Sequence, residues 1–197
     1  MHLKLIFAVA LSILTLLPIS LQAACPEDED LDAKYGAAFL NPGTKAPDFT
    51  LGDIQGRSRS LSEFRGRKVV LVFWASWCPD CRAEVPELKA MQAQADPEKT
   101  AFVSISFDRS FDAFKTYVEE NYIGGVQLFD PAGKKDSAIG AAYGVQWIPS
   151  LYLIDEKGRV VLATVLAEKV AKALKTESKK TNPFQRGVCS ETGCAPR

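Results

Sequence analysis

Histidine is nearly absent from this chain of 197 residues, since the only one is His2. Residues 1–24 have the features of an export signal: Lys4, no acidic residue, and an apolar stretch from Leu5 to Leu17 that is short for a membrane span. If this segment is removed, the remaining chain contains no imidazole. That excludes a Ser-His-Asp triad, a histidine proton shuttle and a histidine-ligated zinc site.

The chain also lacks an excess of charge of either sign. Its 24 Lys and Arg residues equal its 24 Asp and Glu residues, and loss of residues 1–24 would leave 23 against 24, a net charge of −1. Domains that bind nucleic acid present a basic surface, which this balance does not supply. We therefore expect no nucleic-acid partner.

Cysteine is scarce, and the five residues are arranged unevenly. Four of them form two close pairs, Cys78 with Cys81 and Cys189 with Cys194, and Cys25 is left alone. In an exported protein an odd cysteine is a spare reactive thiol unless it is modified.

The residues around Cys25 leave two processing routes open. In Gln22-Ala23-Ala24-Cys25 the cysteine stands where a bacterial lipoprotein is acylated, but Gln22 occupies a position that is usually Leu in such signals. Ordinary cleavage after Ala23 or Ala24 is the alternative. Both routes place the protein in the periplasm or at the extracytoplasmic face of a membrane, with a lipid anchor in the first case.

The most informative segment runs from Val69 to Pro86 and reads VVLVFWASWCPDCRAEVP. Its β-branched and aromatic run through Trp74 predicts a buried strand, and Cys78 and Cys81 follow at the start of a helical pattern. A helix N-terminus stabilises a thiolate through its free N–H groups and its dipole, so Cys78 is the candidate nucleophile. Residue 82 is Arg, so CPDC is not a CxxCH haem attachment site.

Glu84 continues the same three-residue spacing. Cys78, Cys81 and Glu84 therefore share one helix face, where a disulfide and a carboxyl group would meet. A dithiol needs a proton acceptor when it attacks. Pro86 falls inside the same helical pattern, and we expect a kink there.

The stretch WASWCPDCRAEVPEL resembles the thioredoxin superfamily and, within it, the extracytoplasmic TlpA/ResA-like thiol-disulfide oxidoreductases. A second match is YGVQWIPS, from Tyr143 to Ser150, and the resemblance covers Thr44 to Lys175. CxxC alone is a weak motif, but a preceding strand and a following YGVxxIPS make the combination specific. The resemblance implies thiol-disulfide exchange, in which Cys78 attacks a disulfide and Cys81 resolves the mixed disulfide without a metal or an organic cofactor.

In this family the proline that matches Pro149 is cis and faces the CxxC motif. It would hold the substrate chain, while the Ile148 backbone forms strand-like hydrogen bonds with an extended peptide. Trp77 and Trp147, which lie beside these motifs, either wall the substrate groove or pack in the core. Pro79 and Asp80 are further candidates for substrate contact.

Two acidic residues near the cysteines carry further expectations. Glu84 aligns with a glutamate that supports proton transfer in ResA-like proteins, whereas Val72 stands where thioredoxin has a buried aspartate. The alternative is a solvated Glu84 that pairs with Arg82 or Lys89.

Asp80 adds a negative charge between the cysteines, which opposes a Cys78 thiolate and makes the protein a weaker oxidant. We therefore expect a reductant of protein disulfides that takes electrons from a donor in the membrane or outside the cytoplasm.

The remaining patterns predict one α/β domain over residues 45–175, with the mixed central sheet and flanking helices of the thioredoxin fold. Residues 25–44 before it read as an acidic N-terminal tether. An N-terminal β-hairpin extension is expected from Ala46–Leu51 and Arg57–Leu61. Later strands are predicted at Ala101–Phe107, Val126–Phe129, Leu151–Ile154 and Arg159–Leu166, and helices at Phe111–Asn121, Ser137–Tyr143 and Ala167–Leu174.

Residues 176–197 read as an irregular polar C-terminal tail. Within it Cys189 and Cys194 would close a small disulfide loop, and an auxiliary redox pair or a metal site are the alternatives.

Two other functions are open from the sequence. The segment NPGTKAPDFTL, residues 41–51, resembles the start of peroxiredoxin chains, although Leu71 replaces the proline expected seven residues before a peroxidase nucleophile and only Ser76 approximates its hydroxyl residue. The second alternative is a thioredoxin-like binding module that holds a partner protein between Trp77 and Trp147.

Overall fold

The computed structural model describes residues 30–121 and 123–181. The expected signal peptide at residues 1–24, the candidate lipidation site Cys25 and the Cys189–Cys194 pair lie outside these residues. Among the residues described, no helix combines the length and the apolar character needed to cross a bilayer.

A single sheet organises the described part of the chain, and its seven strands lie in the order β2-β1-β5-β4-β3-β6-β7. The central strands β3, β4 and β5 are parallel, whereas β1, β6 and β7 join their neighbours antiparallel. The strands are β1 (Thr50–Asp53), β2 (Ser58–Ser60), β3 (Lys68–Trp74), β4 (Thr100–Ser106), β5 (Val126–Phe129), β6 (Ser150–Ile154) and β7 (Val160–Thr164).

Helices connect and flank these strands. The helices are α1 (Leu31–Tyr35), α2 (Pro79–Gln94), α3 (Phe111–Glu120), α4 (Gly133–Asp136), α5 (Ala138–Ala142) and α6 (Ala167–Thr181), with a 3₁₀ turn at Leu61–Phe64. Two starts follow from N-capping hydroxyls: Ser110 caps α3 and Ser137 caps α5 by accepting backbone N–H groups. The predicted mixed α/β thioredoxin-type sheet is confirmed, and helix α2 continues through Pro86 to Gln94.

The core sits on both faces of β3, as its unbroken apolar sequence predicts. Every residue from Val69 to Trp74 is buried. Strand β3 pairs in parallel with β4 so that Trp74 stands opposite Ser106. Both strands therefore end at the same edge of the sheet, which is where open α/β sheets place their functional sites.

The predicted N-terminal hairpin forms, but its first strand begins later than expected. Residues before Thr50 are used elsewhere: Lys45 pairs with Arg159, and the N–H of Ala46 donates to Gly158 at the opposite edge of the sheet. The Asp48 carboxylate accepts N–H groups from Phe49 and Ser62, which turns the chain between the two edges.

An acidic N-terminal tether is expected over residues 25–44, but the described residues from Asp30 to Leu40 form a helix and contact the domain. Helix α1 forms here, and the Asp32 carboxylate accepts hydrogen bonds from the N–H of Val165 and the hydroxyl of Thr164 at 2.8 Å. Phe39 then packs edge-on against Tyr152. The acidic composition favours a solvated segment, whereas the Asp32 carboxylate is hydrogen-bonded to the domain and Phe39 packs on Tyr152.

The expectation of an irregular tail from residue 176 is wrong for residues 176–181. Helix α6 continues from Ala167 to Thr181, so residues 176–181 are helical where a polar irregular segment was expected. The hydroxyl of Thr176 donates to the carbonyl of Lys172, within the helix itself.

Candidate functional site

The two cysteines of CPDC lie at the corner between β3 and α2. Cys78 is the N-cap of α2, Pro79 is its first residue, and the backbone N–H of Cys81 lies 3.4 Å from the Cys78 sulfur. Both are buried free thiols, with Cys78 only 5 % exposed. The Cys78 sulfur thus receives a helix N-terminal N–H, which is the contact that favours a thiolate.

A distant segment completes the site on the other side of Cys78. The Ile148–Pro149 peptide bond is cis, as the resemblance implies, and the Cys78 thiol donates to the Ile148 carbonyl oxygen at 3.5 Å. The hydroxyl of Ser150 donates to the Trp147 carbonyl at 2.6 Å and braces the turn. The chain positions 78 and 149, predicted from separate motifs, are therefore neighbours.

The two tryptophans of the site lie at the surface and do not pack in the core. Trp77 is 49 % exposed and Trp147 is 40 % exposed. The ring of Tyr35, on α1, stacks on Trp147 with 4.5 Å between the ring centroids. Sequence reasoning missed Tyr35, because nothing local links α1 to the loop before Pro149. Pro79 and Asp80 are exposed beside Trp77.

Glu84 lies on the inner side of α2. It lines a small, mostly apolar cavity with Cys81, Val72, Trp74 and Pro149. Burial raises the pKa of Glu84, and this outweighs the opposite effect of the hydrogen bond that its carboxylate accepts from the N–H of Ala167 at 3.2 Å. The expected alternative, a pair with Arg82 or Lys89, is not among the contacts of the described residues.

The pKa of the Cys81 thiol differs from that of an exposed thiol. Burial raises its pKa strongly, and the hydrogen bond with Cys78 and the charges of Cys78 and Asp80 raise it further. Cys81 therefore stays protonated at neutral pH, and it needs a proton acceptor before it can act as a nucleophile.

A buried carboxylate holds the loop that precedes Cys78. Asp108, two residues beyond the end of β4, accepts the backbone N–H of Ser76 at 3.1 Å and its hydroxyl at 2.7 Å. A second hydroxyl, from Ser106, donates to the same carboxylate at 2.6 Å. Sequence reasoning missed Asp108, although an acid just past a strand that neighbours the CxxC strand was a usable signal.

Arg82 holds the same loop from the opposite direction. Its Nε donates to the Ser76 carbonyl at 2.5 Å, and its guanidinium lies 5.4 Å from the ring centroid of Tyr117. The peptide groups on both sides of Ser76 are therefore fixed by side chains. For metals, the described residues hold no cluster of three or more acidic, Cys or His side chains.

The geometry agrees with comparisons to known proteins. The chain is 34 % identical over 122 residues to the thioredoxin-like protein YneN of Bacillus subtilis, covering 60 % of this chain and 68 % of that one. It is 28 % identical over 141 residues to the thiol-disulfide oxidoreductase ResA of Bacillus thuringiensis, covering 72 % and 79 % respectively.

Solved structures give the same fold. The crystal structure of the thioredoxin domain of a thiol-disulfide oxidoreductase from Bacteroides vulgatus matches with a TM-score of 0.65 and 26 % identity, over 70 % of this chain and 98 % of that chain. A thiol-disulfide oxidoreductase from Bacteroides fragilis matches with a TM-score of 0.62 and 26 % identity, over 68 % and 99 %. The profile of the AhpC/TSA family matches residues 42–163. The chain therefore belongs to the AhpC/TSA family, within the thioredoxin superfamily.

Proposed function

We propose that this protein is a thiol-disulfide oxidoreductase that reduces disulfides in other proteins. The observation that carries the proposal is the free Cys78–Cys81 dithiol at the N-terminus of α2, with Cys78 against the cis-Pro149 loop. The names of the relatives ResA and the Bacteroides proteins point to the same chemistry.

The reaction passes two electrons from the dithiol to the substrate. The Cys78 thiolate attacks one sulfur of the substrate disulfide, which breaks that bond, forms a mixed disulfide and releases the other substrate sulfur as a thiolate that takes up a proton. Cys81 then loses its proton and attacks the Cys78 sulfur. The second substrate thiolate leaves, and the protein holds a Cys78–Cys81 disulfide.

Glu84 is the proposed acceptor of the Cys81 proton. Both side chains line one cavity, and burial raises the pKa of each. A carboxyl group with a raised pKa is a stronger base once ionised, which suits it to take a proton from a thiol. Val72 lines the same cavity from β3, where thioredoxin has its aspartate, so the acid would act from the helix.

The substrate is proposed to lie across the exposed face between the two tryptophans. Pro149 and the Ile148 backbone would hold an extended segment beside Cys78, as in the family that the motifs resemble. Trp77 precedes Cys78 in the chain and Trp147 precedes Ile148, which contacts Cys78, and both tryptophans supply exposed aromatic surface. Pro79 and Asp80 lie at the rim next to Trp77.

Export completes the proposal. Removal of residues 1–24 would release the domain outside the cytoplasm, and acylation of Cys25 would anchor it to a membrane. The oxidised dithiol would then be re-reduced by a donor in the membrane or outside the cytoplasm. The intact mass of the mature protein distinguishes acylation of Cys25 from simple cleavage after Ala23 or Ala24. Peptide mapping without reduction reports whether Cys189 and Cys194 form a disulfide.

A peroxidase is a weaker candidate for this site. The Ser76 hydroxyl, the residue closest to the peroxidase pattern, donates to Asp108 at 2.7 Å and is committed to that contact. Leu71, in place of the expected proline, is fully buried in the core of β3. We therefore expect disulfide exchange to be much faster than consumption of hydrogen peroxide.

The test is stoichiometric exchange with a disulfide-containing protein such as insulin. The reduced chain should reduce one disulfide per Cys78–Cys81 pair, and Cys81→Ser should accumulate a mixed disulfide through Cys78. Cys78→Ser should do neither. Partner binding that persists unchanged in Cys78→Ser, without exchange in the parent, would instead support a binding module.

A further inference from the structure

The Asp108 carboxylate is the most deeply buried acid next to the candidate site, and the reaction above does not use it. Only 2 % of its surface is exposed, and among the described residues it pairs with no lysine or arginine. A buried carboxylate is costly unless its oxygens are fully hydrogen-bonded. Its partners are the N–H and hydroxyl of Ser76 and the hydroxyl of Ser106.

The sheet register explains why these residues meet. Trp74 and Ser106 stand opposite each other at the ends of β3 and β4, and the N–H of Phe107 still donates to the Trp74 carbonyl. Two residues further on, the chains pass Ser76 and Asp108 side by side. The carboxylate thus stands at the turn that leads from β3 into Cys78.

Arg82 holds the next peptide group of that turn. The N–H of Ser76 is bound by Asp108 and its carbonyl by Arg82, which itself lies one helical turn after Cys78. Two side chains therefore fix the orientation of both peptide groups around Ser76. The position of Cys78, between this turn and the first turn of α2, follows from them.

We propose that Asp108 is a positioning residue for the Cys78 sulfur, acting through Ser76. The inference rests on the proposed exchange reaction. Attack on a substrate disulfide requires the sulfur to reach a substrate held at the cis-Pro149 loop, and the Cys78 sulfur now lies 3.5 Å from the Ile148 oxygen of that loop. Displacement of a reacting group by about 1 Å costs about a hundredfold in rate.

The variants Asp108→Asn and Asp108→Ala distinguish the effect of Asp108 on the placement of the turn from the effect of its charge. In Asp108→Asn the amide oxygen can still accept the Ser76 N–H and hydroxyl, while the amide nitrogen donates to the Ser106 hydroxyl, so the turn is kept and the charge is lost. In Asp108→Ala both are lost. Asp130 offers a matched control, because it is a buried acid just after β5 and is 5 % exposed. Within the described part of the chain, its carboxylate accepts a hydrogen bond from the N–H of Ala132 alone.

The experiment measures the reactivity of the Cys78 thiol in a Cys81→Ser background with two reagents, insulin and iodoacetamide. The rate of mixed-disulfide formation with insulin reports position against the substrate. Alkylation of the Cys78 peptide by iodoacetamide, followed across pH by mass spectrometry, reports thiolate formation alone. Asp108→Ala should slow the insulin reaction by about tenfold or more and change the alkylation plateau by less than about threefold.

Asp108→Asn should retain the insulin rate within about threefold, and Asp130→Asn should match the parent in both reactions. Equal losses in Asp108→Asn and Asp108→Ala, with a shifted alkylation midpoint, would assign the effect to charge and overturn the inference. Parent-like rates in Asp108→Ala would overturn it too. An inactive parent would refute the proposed function and not this inference alone.

Ser76→Ala decides the matter if Asp108→Ala fails to fold. It removes the hydroxyl contact at 2.7 Å and keeps the carboxylate and the N–H bond. The inference then requires a smaller loss in the insulin rate, again without a matching loss of alkylation. An unchanged ratio of the two rates in folded Ser76→Ala would contradict it.

Discussion

The Glu84 carboxylate accepts a hydrogen bond from the backbone N–H of Ala167 at 3.2 Å, which joins the helix of the cysteines to the first residue of α6. A carboxylate at a helix N-terminus is normally stabilised as an anion. Here burial has the larger effect and raises its pKa. A raised pKa makes the ionised carboxylate a stronger base, which suits it to proton transfer.

Glu84→Gln should slow the second step of exchange. The amide can still accept the Ala167 N–H but cannot take the Cys81 proton, so resolution of the mixed disulfide should be about a hundredfold slower at neutral pH. Formation of the mixed disulfide should be unchanged. Stopped-flow kinetics with acid trapping separates the two steps, and equal slowing of both would contradict the role.

The same substitution should change stability in a pH-dependent way. Because the folded-state pKa of Glu84 is raised, the native protein binds the proton more tightly than the unfolded chain does, and stability falls as pH rises from the unfolded pKa through the folded one. Glu84→Gln should therefore be more stable than the parent above that window and similar below it. Urea denaturation at several pH values measures the difference, with Glu120→Gln, an exposed acid on α3, as the control.

Asp80→Asn should make the protein a weaker reductant. The Asp80 charge opposes ionisation of the Cys81 thiol and contributes to its raised pKa. Its removal stabilises the reduced form, and a change equivalent to one pKa unit is about 30 mV of reduction potential. The potential should rise by this order, and an unchanged or lower value would refute the interpretation.

Tyr35 should contribute to substrate binding through Trp147. Aromatic pairs contribute about 0.5–1.5 kcal/mol beyond the area they bury, so Tyr35→Leu should loosen the Trp147 ring and raise KM for a disulfide peptide several-fold. The rate at saturation should change little, because the ring partner given for Tyr35 is Trp147 and not Cys78 or Cys81. Tyr35→Phe keeps the ring and serves as the control, and a KM equal to that of Tyr35→Leu would contradict the stacking role.

Loss of the Asp32 charge, by acid or by substitution, should release α1 from the domain. Burial raises the pKa of Asp32, but hydrogen bonds from Lys169, Val165 and Thr164 outweigh it and hold the pKa below its usual value. The stabilisation is therefore present above the unfolded pKa and lost as pH falls through the folded one. Cleavage after Lys34 in limited proteolysis should increase in Asp32→Asn at neutral pH. Equal protection in the variant would show that α1 is held by other contacts.

Much of the fold follows from local pattern in the sequence. The unbroken apolar run from Val69 to Trp74 predicts a central strand, and Ser137 predicts the start of α5, because burial and capping act over a few residues. The outer parts of the domain do not follow in this way. Helix α1 depends on Asp32 meeting Val165 and Thr164, more than 130 residues away in the chain.

The site likewise contains residues that the sequence predicts and residues that it does not. Cys78, Cys81 and Pro149 carry motifs, so the sequence predicts them and the resemblance relates them in space. Asp108 carries no motif, and its importance comes from the parallel register of β3 and β4. Tyr35 likewise reaches Trp147 only through the folded chain.

The reduction potential of the Cys78–Cys81 pair tests the central claim most directly. The mature domain is equilibrated against dithiothreitol or glutathione buffers, and the free thiols are trapped and counted by mass at the Cys78 peptide. A potential near that of thioredoxin, about −270 mV, is the predicted result for a protein-disulfide reductant. A potential near that of DsbA, about −120 mV, or a pair that forms no reversible disulfide, would contradict it.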